Sequence, residues 1–209
     1  MQEYKVKLAA CNQLLSHIGN TFLDAETLIN EVTSGKTSTI VIISSTLLFS
    51  LFKSIPYTLL LYEIVEIFDV AFISPLLYFL SMIVGQLLIN WLLWALVSFG
   101  FARALGGNGC ILSHLKLFSC VLIIESIPAL ATPLFYVDII LGLYMLLLFE
   151  LISLIWATWF AVEATSKLHE ISKLKAFASA ILIPVILVIG SVFLLWLGID
   201  TIMKVVKPQ

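Results

Sequence analysis

Four polar side chains stand inside otherwise apolar runs. Gln86 and Asn90 are four residues apart, so a helix through them would carry both on one face. Glu150 lies near the middle of a later apolar run with Ser153 one turn away, and Glu125 lies beside Ser126 in the run between. Such groups are costly in hydrocarbon, so they mark either hydrogen bonds between helices or a path for a proton, an ion or a small solute. A carboxyl at Glu150 would have to be protonated or hydrogen-bonded, because desolvation penalises its charged form. As packing groups these side chains would contribute about 0.6 kcal/mol each. As a functional set, Gln86, Asn90 and Glu150, joined by Glu125, would line a passage.

A second kind of chemistry is offered by the break Gly106-Gly107-Asn108-Gly109, which interrupts two apolar runs between residues 85 and 131. Backbone N–H groups at the start of the following helix could face a phosphate, helped by Arg103, His114 and Lys116. A phosphate loop also needs a preceding strand and a Gly-Lys-Ser/Thr ending, and the sequence has neither. Gly106, Gly107 and Gly109 are therefore expected to supply positive φ for a tight helix connection. The basic residues beside them suit contact with anionic lipid headgroups. A second polar break, residues 163–175, carries Lys167, Lys173 and Lys175.

Nothing in the sequence has the spacing of a catalytic centre. His17, His114 and His169 are far apart without a metal-binding pattern, and each is expected at a surface or an interface. Cys11, Cys110 and Cys120 have neither metal-ligand nor CxxC spacing and do not report a disulfide framework. No Ser/His pair, Asp pair or metal site falls at a common depth. The expectation is a protein that is not an enzyme and uses no cofactor or metal.

The elements that must position these residues follow from composition. Of the 209 residues 61% are hydrophobic and only 11% are charged, and the mean hydropathy is +1.13. Soluble domains are closer to about 45–50% apolar and about 25% charged, so the chain reads as an all-α, polytopic membrane protein. A net charge of −2, with aromatics scattered through apolar runs, gives no reason to expect nucleic-acid binding. Residues 1–35 begin with charges and lack a compact apolar stretch before a small-residue cleavage site. The first spanning helix is thus expected to act as its own insertion signal. Residues 4–32 show helical spacing of apolar positions among polar ones, as one or two amphipathic helices would. These would lie on the membrane surface or against the loops of the bundle, with Asp24 capping the second.

Five spans are expected at about 37–56, 75–104, 113–131, 134–162 and 175–200, within a membrane domain of 36–203 followed by a short tail, 204–209. A first helix begins after Gly35-Lys36, but Lys53 and Pro56 blur its end. Residues 57–73, with Glu63, Glu66 and Asp69, then read as an interfacial connector. As a span it would place three carboxylates in hydrocarbon at about 2.5–3.5 kcal/mol each. Pro75 suits a first helical turn, Ser113 is a candidate cap, and Pro184 predicts a kink. Ser44, Ser45 and Ser50 suit close helix packing. Trp91, Trp94, Trp156 and Trp159 suit packing or an interfacial belt. With the N-terminus inside, Lys5, Lys7, Lys36, Arg103, Lys116, Lys167, Lys173 and Lys175 are cytosolic, against Lys53, Lys204 and Lys207 outside. That count predicts N-in, C-out.

Around the two breaks the sequence resembles the Yip-one domain family of Ypt-interacting integral membrane proteins. The likeness is carried by Trp91-Leu92-Leu93-Trp94 leading to Arg103, then Gly106-Gly107-Asn108-Gly109 and the hairpin with Pro128. It continues through Trp156 and Trp159, Leu168-His169-Glu170-Ile171-Ser172, Lys173, Lys175-Ala176 and Pro184. The resemblance implies a five-helix bundle with a cytosolic N-terminus. For eukaryotic members it implies a trafficking role through contacts with small GTPases. This chain lacks their long Pro- and Gln-rich tail and is closer to compact prokaryotic-like members.

Together these readings predict an integral membrane scaffold that presents Arg103, Gly106, Gly107, Gly109, Lys116, Lys167, Lys173 and Lys175 to lipids or a partner protein. Homo-oligomers or complexes with other membrane proteins fit helices with small and polar faces. The alternative is a small channel or transporter using Gln86, Asn90, Glu150 and Glu125. The membrane would be the plasma membrane in a prokaryote and a Golgi- or ER-type membrane in a eukaryote.

Overall fold

The computed structural model describes residues 16, 18–21, 24–35, 38–68 and 74–206. All regular structure among them is helical. Helix α1 is Ala25–Thr33, α2 is Thr39–Phe68 and α3 runs over Pro75–Ala104 with a π-helical middle, Gln86–Leu93. Helix α4 is Ile111–Ile124, followed by a 3-10 turn, Ile127–Ala131, and a single α turn, Thr132–Phe135. Helix α5 is Ile139–His169. Helix α6 begins as Lys173–Phe177, passes through a π-helical turn, Ala178–Leu182, and continues as Ile183–Val206.

Among the described residues five stretches are long and apolar enough to cross a membrane: Thr39–Glu63, Pro75–Ala104, Ile111–Phe135, Ile139–His169 and Lys173–Phe193. Their outer faces carry large hydrophobics such as Leu147, Leu154, Ile186 and Ile189, each more than half exposed. Their inner faces carry many small and polar groups. A soluble domain would reverse that arrangement; a lipid-facing bundle favours it, because lipid tails are as apolar as leucine and small side chains let helices approach closely. The chain is an integral membrane protein.

The α1 cap forms at Asp24, whose carboxylate accepts from the Thr27 backbone N–H at 3.0 Å and from the Thr27 hydroxyl at 2.7 Å. The apolar face of α1, Leu28, Ile29 and Val32, is fully buried against Leu117 and Cys120 of α4 and Phe160 and Ala164 of α5. Burying three aliphatic side chains, at about 1.5–3 kcal/mol each relative to water, fastens this helix to the bundle. Cys11, His17, Lys36, Asp69 and the first fifteen residues lie outside the described residues.

Helix α2 departs from its expected length. It continues through Lys53 and Pro56 to Phe68, so residues 57–68 extend the same helix instead of forming a connector. A proline inside a membrane helix is tolerated where neighbours surround it, and Pro56 is buried. The continuation carries Glu63 about 36 Å from Thr39 at 1.5 Å per residue, beyond the roughly 30 Å hydrocarbon core. That is why a carboxylate there is compatible with a spanning helix. The inward face of α2 is a ladder of hydroxyls. Thr46, Ser50, Ser54 and Thr58 each donate to the carbonyl one turn back, at 2.7–2.9 Å. Ser45 and Ser50 are buried as expected for packing, whereas Ser44 is exposed.

Other ends also differ. Helix α4 starts at Ile111 with Cys110 in the cap position, and Ser113 is already helical. Helix α5 starts at Ile139 behind Asp138, whose carboxylate accepts from the Leu141 N–H at 2.8 Å, and it runs to His169 rather than stopping near 162. Its last turns contain Glu163 and Lys167 as an i, i+4 pair at 3.8 Å. Such pairing supports helix in a segment whose polarity alone reads as loop.

Candidate intramembrane site

Lys53 of α2 and Glu125 at the end of α4 form an ion pair, Nζ to Oε2 2.7 Å. Lys53 is fourteen positions into α2, Glu125 fourteen from the start of α4, and Asn90 fourteen before the end of α3. At 1.5 Å per residue each sits about 21 Å from the same end of the bundle. The placement of Lys53 outside the membrane is therefore corrected: it is buried within the spanning stretch of α2. A lone lysine at that depth would be unfavourable by about 2.5–3.5 kcal/mol; the Glu125 carboxylate offsets this.

The pair opens onto a cavity of about 280 Å³ between α2, α3, α4, α5 and α6. Its polar wall is Lys53, Asn90, Glu125, Glu150, Ser153 and Thr158; its apolar wall includes Trp94, Phe118, Val121, Ala157 and Ile181. Of the residues expected to act together, Asn90, Glu125 and Glu150 meet here. Gln86 does not line the cavity. It is buried behind Asn90 and accepts from the Asn90 amide at 2.7 Å. Ser153 donates to the Glu150 backbone carbonyl at 3.0 Å.

Both π-helical segments border this space. An extra residue per turn in Gln86–Leu93 carries Asn90 to the cavity wall, and the matching turn Ala178–Leu182 carries Ile181 to the opposite side. Such wide turns are frequent at functional positions in helices. Trp94 joins the two by donating its indole N–H to the Ala180 carbonyl at 2.8 Å, and Trp91 likewise donates to Leu115 of α4 at 3.0 Å. These two tryptophans are interhelical ties rather than an interfacial belt. Trp156 packs on the buried cluster under α1, while Trp159 is exposed.

At the near end, the two breaks lock together. Asn108 N–H donates to the His169 carbonyl at 3.1 Å and Gly109 N–H to His169 Nδ1 at 3.2 Å. His169 Nε2 stands 3.1 Å from His114 Nδ1, and His114 stacks on Phe118 at 4.5 Å. Of the surface or interface position expected for these histidines, the surface is corrected: both rings are buried between helices. Only Gly106 of the three glycines has positive φ, +97°. Gly107 and Gly109 serve close approach, because a Cβ on either would fall 2.7–2.9 Å from His169. Helix α5 is ended by Glu170, a non-glycine residue at φ 55°.

This lock removes the phosphate cradle from consideration. The N–H groups of Asn108 and Gly109 are used by His169, and Arg103 donates to the Gly107 carbonyl at 3.0 Å. Lys116, expected among the cytosolic basic contacts, is buried in α4. Lys175 donates to the Leu105 carbonyl at 3.1 Å, Lys167 pairs with Glu26 at 3.0 Å and Lys173 with Glu163 at 2.8 Å. Among the described residues no cluster of three His, Cys, Asp or Glu side chains could hold a metal ion. In comparisons with family profiles, curated proteins and solved structures, nothing matches the chain.

Proposed function

We propose that this protein is a non-enzymatic membrane protein that handles a proton or a small solute in the cavity between its helices. The single observation that carries the reading is the convergence of Lys53, Glu125, Glu150, Asn90 and Ser153 on one cavity deep in the bundle. Intramembrane ionisable groups that face a cavity are functional candidates by default. The orientation in this reading is N-in, C-out. With Lys53 inside the bundle, the far side keeps only Lys204 and Lys207, which supports that orientation further. The membrane is the plasma membrane in a prokaryotic host and a Golgi- or ER-type membrane in a eukaryotic one. Kinship with the Yip-one family belongs to the proposal and is supported by the residue pattern of the two breaks.

The test is proton and ion flux into sealed liposomes under an imposed gradient, wild type beside Glu150→Gln. Flux in the wild type that the variant loses is the expected result. Absence of flux from both, with both folded and inserted, would overturn the reading. A scaffold role at the cytosolic turns is the second reading. It is favoured by Leu174, 79% exposed beside Lys173 and Lys175 at the start of α6, where lipid or a partner protein could be met. Charge reversal at Lys173 and Lys175 abolishes capture of a partner in that reading and leaves flux unchanged in the first.

A further inference from the structure

The charge inventory of the cavity is unequal. Lys53 and Glu125 neutralise one another at 2.7 Å. Glu150 has no hydrogen bond or ion pair to its carboxylate among the described residues, although the Lys53 charge acts on it from across the cavity. One carboxyl group is therefore left to face the cavity without a committed partner, and its charged form needs one from a ligand.

The rest of the wall restricts what can answer that carboxylate. A calcium ion takes six to eight oxygen ligands, and apart from Glu125, already held by Lys53, the wall offers only Asn90, Ser153 and Thr158 beside Glu150; among the described residues no three His, Cys, Asp or Glu side chains group to hold a transition metal. An anion meets no uncommitted cation. A sugar would need many more donors and acceptors than these. Most of the lining is aliphatic or aromatic, with Trp94 and Phe118 on the wall. A carboxylate, two aromatic rings and an aliphatic remainder form the complement of a short alkyl chain ending in a positive nitrogen. The volume of about 280 Å³ lies just below the roughly 300–1,000 Å³ usual for ligand pockets, which suits a ligand of only a few heavy atoms.

We propose that the cavity binds a small aliphatic ammonium ion, its charge set against Glu150 and its alkyl part against Trp94 and Phe118. Asn90 and Ser153 supply acceptors for the remaining N–H groups. The inference rests on the cavity reading above and narrows it to a ligand class.

The experiment is calorimetric titration of the full-length protein in nanodiscs with n-butylammonium, with n-butanol as the neutral match of similar size. Saturable binding of butylammonium but not butanol is expected, weakened about tenfold or more in Glu150→Gln, the loss of one charge-assisted contact. Trp94→Phe keeps an aromatic wall and should weaken binding less than Glu150→Gln. It serves as the second variant should the first misfold, since full insensitivity to it and to Trp94→Ala would overturn the proposal. Equal binding of the amine and the alcohol, or indifference to Glu150→Gln, overturns it as well. Glu150-dependent proton flux without amine binding overturns the ammonium assignment alone; absence of both overturns it together with the cavity reading.

Discussion

His169 Nε2 and His114 Nδ1 stand 3.1 Å apart in the buried near end of the bundle, and the direction of that bond can be deduced. Gly109 N–H donates to His169 Nδ1, so that nitrogen carries no proton and the His169 proton sits on Nε2. His169 is therefore the donor and His114 Nδ1 the acceptor. The chain Gly109, His169, His114 joins residues 60 and 55 positions apart, tying the α3–α4 connection to the α5–α6 connection.

Substituting the glycines under His169 tests this lock. Gly107→Ala and Gly109→Ala each place a methyl less than 3.0 Å from the imidazole or Leu168. Each should lower stability by about 1–3 kcal/mol, as overpacking does. Gly100→Ala, with open space around its Cβ on α3, should stabilise by about 0.5–1 kcal/mol. Thermal unfolding in detergent ranks the three. Equal midpoints would contradict the lock.

Breaking the Lys53–Glu125 pair from one side strands a charge in the bundle. Lys53→Met alone and Glu125→Gln alone should each cost about 1–3 kcal/mol. That is below the 3–5 kcal/mol of a fully buried pair, because the Glu125 side chain is 27% exposed. Lys53→Met with Glu125→Gln removes both charges and should recover most of the loss. Chemical denaturation of all four proteins completes the cycle; strictly additive losses would show that the two side chains do not act as a pair.

The α1 cap makes a pH-dependent prediction. Hydrogen bonds from Thr27, first from its hydroxyl and then from its backbone N–H, hold the Asp24 carboxyl below its usual value of 3.8. A lowered value means that the contribution to the folded state is present above the usual carboxylate range. It is lost as pH falls through the folded value. Amide protection over Ala25–Thr33, corrected for intrinsic exchange, should fall in that acidic window for wild type. For Asp24→Ala it should already be low at neutral pH and lack the transition. Parallel curves for the two proteins would remove Asp24 from the account.

The spans were legible because lipid exposure forces long apolar runs, and the Asp24 cap and Pro75 start were legible because those signals are local. Gln86 and Asn90 were paired correctly from a spacing of four. Lys53 reads wrongly as external, because a lysine followed by proline has the local signature of a helix end and its partner lies 72 residues away. His114 and His169 read as surface or interface positions and Lys116 as a cytosolic contact for the same reason: each is polar in sequence and buried only through tertiary contacts. The π-helical segments leave no local mark, since one added residue in a turn changes facing without changing composition. Consequently the meeting of Asn90 and Glu150 could be reached by depth, while the separation of Gln86 from the cavity could not.

The interlocked turns also make the bundle asymmetric as a mechanical object. At the near end the α3–α4 and α5–α6 connections share hydrogen bonds and a buried imidazole, so they cannot part without exposing unsatisfied N–H groups. Toward the far end α4 gives way to the 3-10 turn Ile127–Ala131 and the single turn Thr132–Phe135, which rests on Gly142 of α5. The two ends are thus held by different means: directional hydrogen bonds through His169 at one, close packing of Phe135 on Gly142 at the other.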